Sequence, residues 1–240
     1  MTDDVRRWLK DLGLGGLMLV LVSLPGGASA GTAEDINRAR KMGKAGDFQS
    51  SVNLYGQVID NGGLYGKELA DVYYSRGLMY DRLRQNDAAI ADYKAAIAID
   101  PAHIAAWSSI CFQLIKEKPP RLDDALSVCN QALRLDPKHA PSYGIRAEIW
   151  VAKGNKIEAE KDYDHALRLD AGNWQLHFNR GIFYHRNGRK DDARRDFNEA
   201  YRLAPGWGRT HPSTVRLFKE YGGTIRLTYH SSVPIFRATR

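Results

Sequence analysis

The apolar positions of the chain fall into two alternating stripes that recur along its length. One reads Tyr73/Gly77/Tyr80, Trp107/Cys111/Leu114, Tyr143/Ala147/Trp150 and His177/Gly181/Tyr184. The other reads Ala89/Tyr93/Ala96, Ala125/Cys129/Ala132, Ala159/Tyr163/Ala166 and Ala193/Phe197/Ala200. Each triplet is spaced i, i+4, i+7, which is one face of an α-helix. Every pair of stripes closes on a similar ending, Ile99-Asp100-Pro101, Leu135-Asp136-Pro137, Leu169-Asp170-Ala171 and Leu203-Ala204-Pro205, at intervals of 36, 34 and 34 residues. A period of that length predicts a row of helical hairpins, each burying its stripes against its partner and its neighbours. The small residue inside a stripe marks where two helices approach closely.

The one irregular interval is located by subtraction. Both stripes lengthen to 36 around the same place, so two extra residues lie between Leu114 and Ala125, where residues 116–121 (K-E-K-P-P-R) predict a proline-stiffened turn. A degenerate first copy also fits: Ala39, Met42, Gly46, Phe48, Ser51, Tyr55 and Val58 stand 38 residues ahead of the equivalent positions. Its four additional residues fall in the glycine-rich loop 61–66.

Both ends of the chain depart from this pattern. Arg6, Arg7 and Lys10 precede an apolar run of 13 residues, 12–24, followed by Pro25-Gly26-Gly27 and then Ala28-Ser29-Ala30. Basic start, short apolar stretch and small-x-small ending together predict a signal peptide over 1–30, cut after Ala30, and hence a periplasmic or secreted protein. An uncleaved amphipathic anchor is the other reading. At the far end Ser213 is placed to cap a helix carrying Val215, Phe218 and Tyr221, and Ile225, Leu227 and Tyr229 alternate as a strand would. Residues 206–240 are therefore expected to form a capping helix and a tail.

Composition narrows the chemistry further. Of 240 residues 43% are hydrophobic and 26% charged, ordinary for a folded domain. Two cysteines exclude a four-cysteine zinc site and a disulfide-dense scaffold. The net charge of +7, retained after loss of 1–30, suits an acidic partner. None of the seven histidines has the company of a metal site, and no glycine-rich loop is placed to cradle a phosphate. His103 and His139 share equivalent inter-repeat turns. Asp123-Asp124 and Asp191-Asp192 head second helices, where negative charge favours the exposed N–H groups. The expectation is a chain with no catalytic residues, no cofactor and no metal.

The repeat resembles the tetratricopeptide repeat family, with about five copies over 31–205. It departs from the family pattern at His177, where an aromatic is usual, and at Cys111 and Ala147, where glycine is common. The resemblance implies an all-α fold, an α-solenoid of helix–turn–helix repeats with a concave groove, and a role as a protein-binding scaffold. In such hairpins the slots of Cys111 and Cys129 face each other, so an exported chain is expected to bridge them. The second helices would form the outer wall. Their Lys94, Arg134, Lys161, Arg168, Arg194, Arg195 and Arg202 are interleaved with Asp92, Asp162, Asp164, Asp196 and Glu199, and together they read as a solvated, ion-paired surface rather than a track for nucleic acid.

Rotating each first-helix stripe by one residue selects the side chains expected to face the groove: Tyr74/Leu78/Asp81, Ser108/Phe112/Ile115, Gly144/Glu148/Val151 and Phe178/Ile182/His185. They are mostly apolar and include no lysine or arginine. This predicts an apolar helix or extended segment of another protein as ligand, anchored on Tyr74, Leu78, Phe112, Ile115, Phe178 and Ile182, with Glu148 selecting a donor or positive charge. The rival reading is an envelope-surface module whose basic outer face holds an anionic polymer or membrane.

Overall fold

The structure, a computed structural model, describes residues 30–204. The body of the predicted signal peptide, the capping helix and the strand-like tail lie outside the described residues. Among those residues the chain is all-α, with ten helices: α1 (Ala30–Lys44), α2 (Phe48–Asp60), α3 (Gly66–Arg82), α4 (Asn86–Ile99), α5 (Ile104–Lys116), α6 (Leu122–Leu135), α7 (Ala140–Ala152), α8 (Lys156–Leu169), α9 (Trp174–Arg186) and α10 (Lys190–Leu203). They form consecutive helix–turn–helix repeats of the α-solenoid class. The chain divides into two compact units, with the boundary between Gln113 and Leu114 in α5.

Local chemistry accounts for the helix ends. Asp47, Asn155 and Asn173 each accept a backbone N–H of the first turn, at Ser50, Glu158 and Leu176. His103 takes the same role for α5, its Nδ1 accepting from the Ala106 N–H at 3.2 Å. His139, at the equivalent turn, instead meets the Ser142 hydroxyl through Nδ1 at 2.8 Å. Four of the five turns inside hairpins use a left-handed residue, Gly46, Gly154 and Gly188 and, in the second repeat, Arg84 at φ 61; the proline-containing turn between α5 and α6 does not.

In the first unit α1 packs on α2, α2 on α3, and α3 on α4. Its core gathers Ala39, Leu54, Tyr55, Val58, Leu64 and Val72. Ser51, in a small-residue slot, donates its hydroxyl to the Ala39 carbonyl at 2.8 Å. In the second unit α6 packs on α7, α7 on α8, α8 on α9 and α9 on α10. There Ala147, Ala159, Tyr163, Phe183, Tyr184, Ala193, Phe197 and Ala200 form the main cluster. Close approach explains the glycines of the first-helix stripe. A Cβ on Gly77 would lie 2.7 Å from the Tyr93 ring, and one on Gly181 would lie 2.7 Å from the Phe197 ring.

Both stripes lie where the spacing places them. All four second-helix triplets are buried, whereas the first-helix triplets leave several outer aromatics, such as Tyr73 and Trp150, half-buried. The amphipathic pattern therefore sets which face of each helix turns inward.

Candidate functional site

The row one residue round from each first-helix stripe occupies the margin of the core. None of Tyr74, Leu78, Phe112, Ile115, Glu148, Phe178 and Ile182 is exposed and none is fully buried. In the first unit the Tyr74 ring lies 5.7 Å from that of Tyr93 and 4.8 Å from that of His103. Burial pushes its hydroxyl up, partly offset by a hydrogen bond with Ser109. In the second unit Phe178 stands 5.6 Å from Phe197, and Phe178 and Ile182 pack against the main cluster. Tyr74, Phe178 and Ile182 thus each serve packing with part of their surface and keep part of it in contact with solvent.

Two members of the row do not line a surface. Ser108 is buried, and Gly144 is buried because any Cβ there would collide with Leu176 of the following repeat. The sequence reading placed both on the groove wall. Helical rotation assigns a direction but takes no account of the next repeat, which fills the space at Gly144.

Glu148 is the polar centre of the row in the second unit. Asn179 of α9 donates its amide Nδ2 to Glu148 Oε1 of α7 at 2.7 Å. Burial pushes the Glu148 carboxyl up to about 7, and the Asn179 bond offsets only part of that shift. Tyr163, facing it from α8, is pushed well up by burial and then by the Glu148 charge. Asn179 is therefore tied to Glu148. The Glu148 carboxyl offers an acceptor to a donor or cation and repels an anionic ligand once it ionises, around pH 7 and above.

The second-helix charges need a correction. Asp92, Asp162 and Asp196 are not part of a solvated surface: they are 4%, 3% and 4% exposed. Each accepts a two-pronged hydrogen bond from an arginine of its first helix, Arg76 at 2.8 and 2.8 Å, Arg146 at 2.7 and 2.7 Å, and Arg180 at 2.7 and 2.8 Å. The first-helix aromatics cover these guanidinium groups, with Tyr73 at 5.4 Å, Tyr143 at 5.2 Å and Tyr184 at 5.6 Å. Arg146 also donates to Asn130 at 2.8 Å, and Arg180 to Asp164 at 2.6 Å, each on the second helix of the preceding repeat. His177 adds its Nδ1 to Asp196 at 3.0 Å and its Nε2 to the Ala171 carbonyl at 3.1 Å, which accounts for a histidine in an aromatic slot. Burial pushes the Asp196 carboxyl up, but the bonds from Arg180 and His177 outweigh it and hold the group below the usual range. A signal for this network was available: arginine and aspartate recur 16 residues apart in three copies.

Of the second-helix cations, Lys161 pairs with Glu158 as read, while Arg134 bonds the Gln131 amide and Arg168 meets His165. Arg194 pairs with Asp191, Arg195 with Asp192 and Arg202 with Glu199 on the exposed face. Their partners neutralise much of the basic surface that the rival reading needs. Cys111 and Cys129 are each fully buried, and neither is a free thiol. Among the described residues no three histidine, cysteine or acidic side chains gather as a metal site would require.

Comparison with known proteins places this geometry. No curated protein matches the chain. Profiles described as tetratricopeptide repeat match residues 70–103 and 151–206. Among solved structures the chain is similar to a thermophilic protein of the same repeat class from Thermus thermophilus. That pair is 18% identical with a TM-score of 0.65, over 79% of this chain and 96% of that one. A tetratricopeptide repeat protein of Parabacteroides merdae is 18% identical with a TM-score of 0.56, covering 74% and 68%. MamA of Desulfovibrio magneticus is 16% identical with a TM-score of 0.55, covering 74% and 97%. These likenesses concern the fold, and that fold is one of protein-interaction scaffolds as a class. The profile matches fall on the hairpins whose stripes and buried slots are described above, so residues 70–103 and 151–206 of this chain are tetratricopeptide repeats.

Proposed function

We propose that the chain is an exported, periplasmic scaffold without activity of its own, and that it binds an apolar helix or extended segment of another protein along the first-helix row. The carrying observation is that Tyr74, Leu78, Phe112, Ile115, Phe178 and Ile182 are all half-buried, with no lysine or arginine in the row. Apolar side chains held rigid by the core and open on one side suit a partner that supplies the missing contacts. Glu148, held by Asn179, suits a donor or positive charge on that partner. The pairing of Arg194, Arg195 and Arg202 with their own helix neighbours weighs against an anionic polymer or membrane as ligand.

The test replaces Phe112 and Phe178 by serine, with the partner taken from a pull-down on an envelope fraction. A folded variant that loses the partner supports the reading, and a folded variant with unchanged affinity defeats it. Loss of folding assigns both rings to the core instead. Export rests on the signal pattern of residues 1–30. Intact mass of the protein from its native envelope checks it: the chain should begin at Gly31, and a mass that retains 1–30 would make it an anchored protein.

A further inference from the structure

The first unit holds a cavity of about 250 Å³ between α1 and α3 that the row above does not use. Ile36, Leu64 and Val72 give it apolar walls, and Glu68 and Asp71 of α3 line it together with Arg40 of α1. We propose that this cavity is a binding site for a lysine or arginine side chain presented by an extended segment of a partner protein.

Size is the first argument. The cavity is smaller than the roughly 300–1,000 Å³ of pockets that enclose whole small molecules, so a single long side chain is the better match. Chemistry is the second. A lysine or arginine has an apolar stem and a charged head, which corresponds to an apolar wall ending at two carboxylates. The third is the state of the charges. Among the described residues Glu68 has no side-chain partner, and Arg40 spends its Nη1 on Asn37 Oδ1 at 2.8 Å rather than on either acid. Asp71 has only His103 behind it, with Nε2 3.2 Å from Asp71 Oδ1. That ring is 8% exposed, and its Nδ1 accepts from Ala106, so the ring proton lies on Nε2 and faces Asp71 without a completed hydrogen bond. Asp71 thus lines the cavity with a side chain that is 57% exposed and has His103 beside it. Two acids against one arginine leave the site net negative. The chain's overall +7 does not cancel this, because charges beyond a Debye length of about 8–10 Å are screened.

The site borders the first-helix row, since His103 lies against both Asp71 and Tyr74, but none of the row's anchors lines it, and its test reads the first unit without any partner. The probes are N-acetyl-lysine methylamide, its uncharged norleucine analogue and its glutamate analogue, titrated into the full chain while the methyl resonances of Ile36, Leu64 and Val72 are followed by NMR. The lysine probe should shift these methyls, the norleucine probe should bind at least about fivefold more weakly, and added salt should weaken the lysine probe. Glu68→Gln with Asp71→Asn should cost the lysine probe about fivefold or more with the thermal midpoint unchanged. Arg40→Gln should strengthen it, because a competing cation is removed. Equal binding of lysine and norleucine, indifference to the acidic substitutions, or preference for glutamate would each overturn the proposal. The last would make Arg40 the anchor.

Discussion

Three repeats place an arginine and an aspartate where a fourth places isoleucine and valine. Arg76–Asp92, Arg146–Asp162 and Arg180–Asp196 are buried two-pronged ion pairs, while the equivalent positions in the repeat that carries both cysteines are Ile110 and Val128, 1% and 2% exposed. The same slot thus accepts charge or hydrocarbon. Hydrocarbon needs only shape, whereas a buried pair must offset the cost of taking two ions out of water with good geometry and further hydrogen bonds. The pairs gain those further bonds by reaching back: Arg146 to Asn130 and Arg180 to Asp164 connect a first helix to the second helix of the repeat before it. We read the pairs as fixing register between successive repeats, a specificity that an apolar slot does not supply.

Turning one slot into the other should have the largest effect. Arg146→Ile alone leaves Asp162 buried without its partner and should cost about 3–5 kcal/mol in urea denaturation. Adding Asp162→Val should recover most of that loss. A double variant as unstable as the single would show that the slot is not interchangeable.

The apolar repeat can be weakened in turn. We expect a disulfide between Cys111 and Cys129, and reducing it should lower stability by about 3 kcal/mol. Complete thiol labelling of the denatured, unreduced protein would show that no bridge exists.

Charge that lacks an arginine behaves in the opposite sense from the paired slots. Glu148 rises from 4.5 to about 7 in the folded chain, so the native state holds a proton that the unfolded state has released. Stability should therefore fall as pH rises from about 4.5 through about 7, by at most about 3 kcal/mol, and Glu148→Gln should remove that slope. Asp196, held low by Arg180 and His177, contributes with the other sign: its stabilisation is present at neutral pH and disappears as the solution becomes acid. Denaturation midpoints across this range, in the parent and the Gln variant, separate the two.

The smallest effect concerns the slot for small residues. Gly181→Ala should cost about 1–3 kcal/mol, since its Cβ would meet the buried Phe197 ring at 2.7 Å, despite the better helix propensity of alanine. The equivalent Ala147 already carries that Cβ while fully buried, so a neutral result at Gly181 would mean that Phe197 has the same freedom to shift.

Much of the candidate row was legible, because a period of 3.6 fixes the direction of every side chain on a helix once its buried face is known. Rotation directs Tyr74, Leu78, Phe112, Ile115, Phe178 and Ile182 toward the groove, and all six are half-buried. Gly144 escaped because the side chain that fills its space, Leu176, belongs to another helix. The buried aspartates escaped for a related reason: a charged residue on a helix reads as solvated until its partner, 16 residues away, is seen beside it.

The helices, their pairing and the residues of the core follow from the chain alone, since periodicity, turn residues and the repeat interval are all local properties. So do the caps, because Asp47, Asn155 and Asn173 act within three residues of themselves. Only the tertiary structure decided which charges are buried, that Asn179 gives its amide to Glu148, and that α1 and α3 leave a cavity with Glu68 and Asp71 beside it. Desolvation and hydrogen bonding depend on distances between residues far apart in sequence, and those distances are set when the repeats pack.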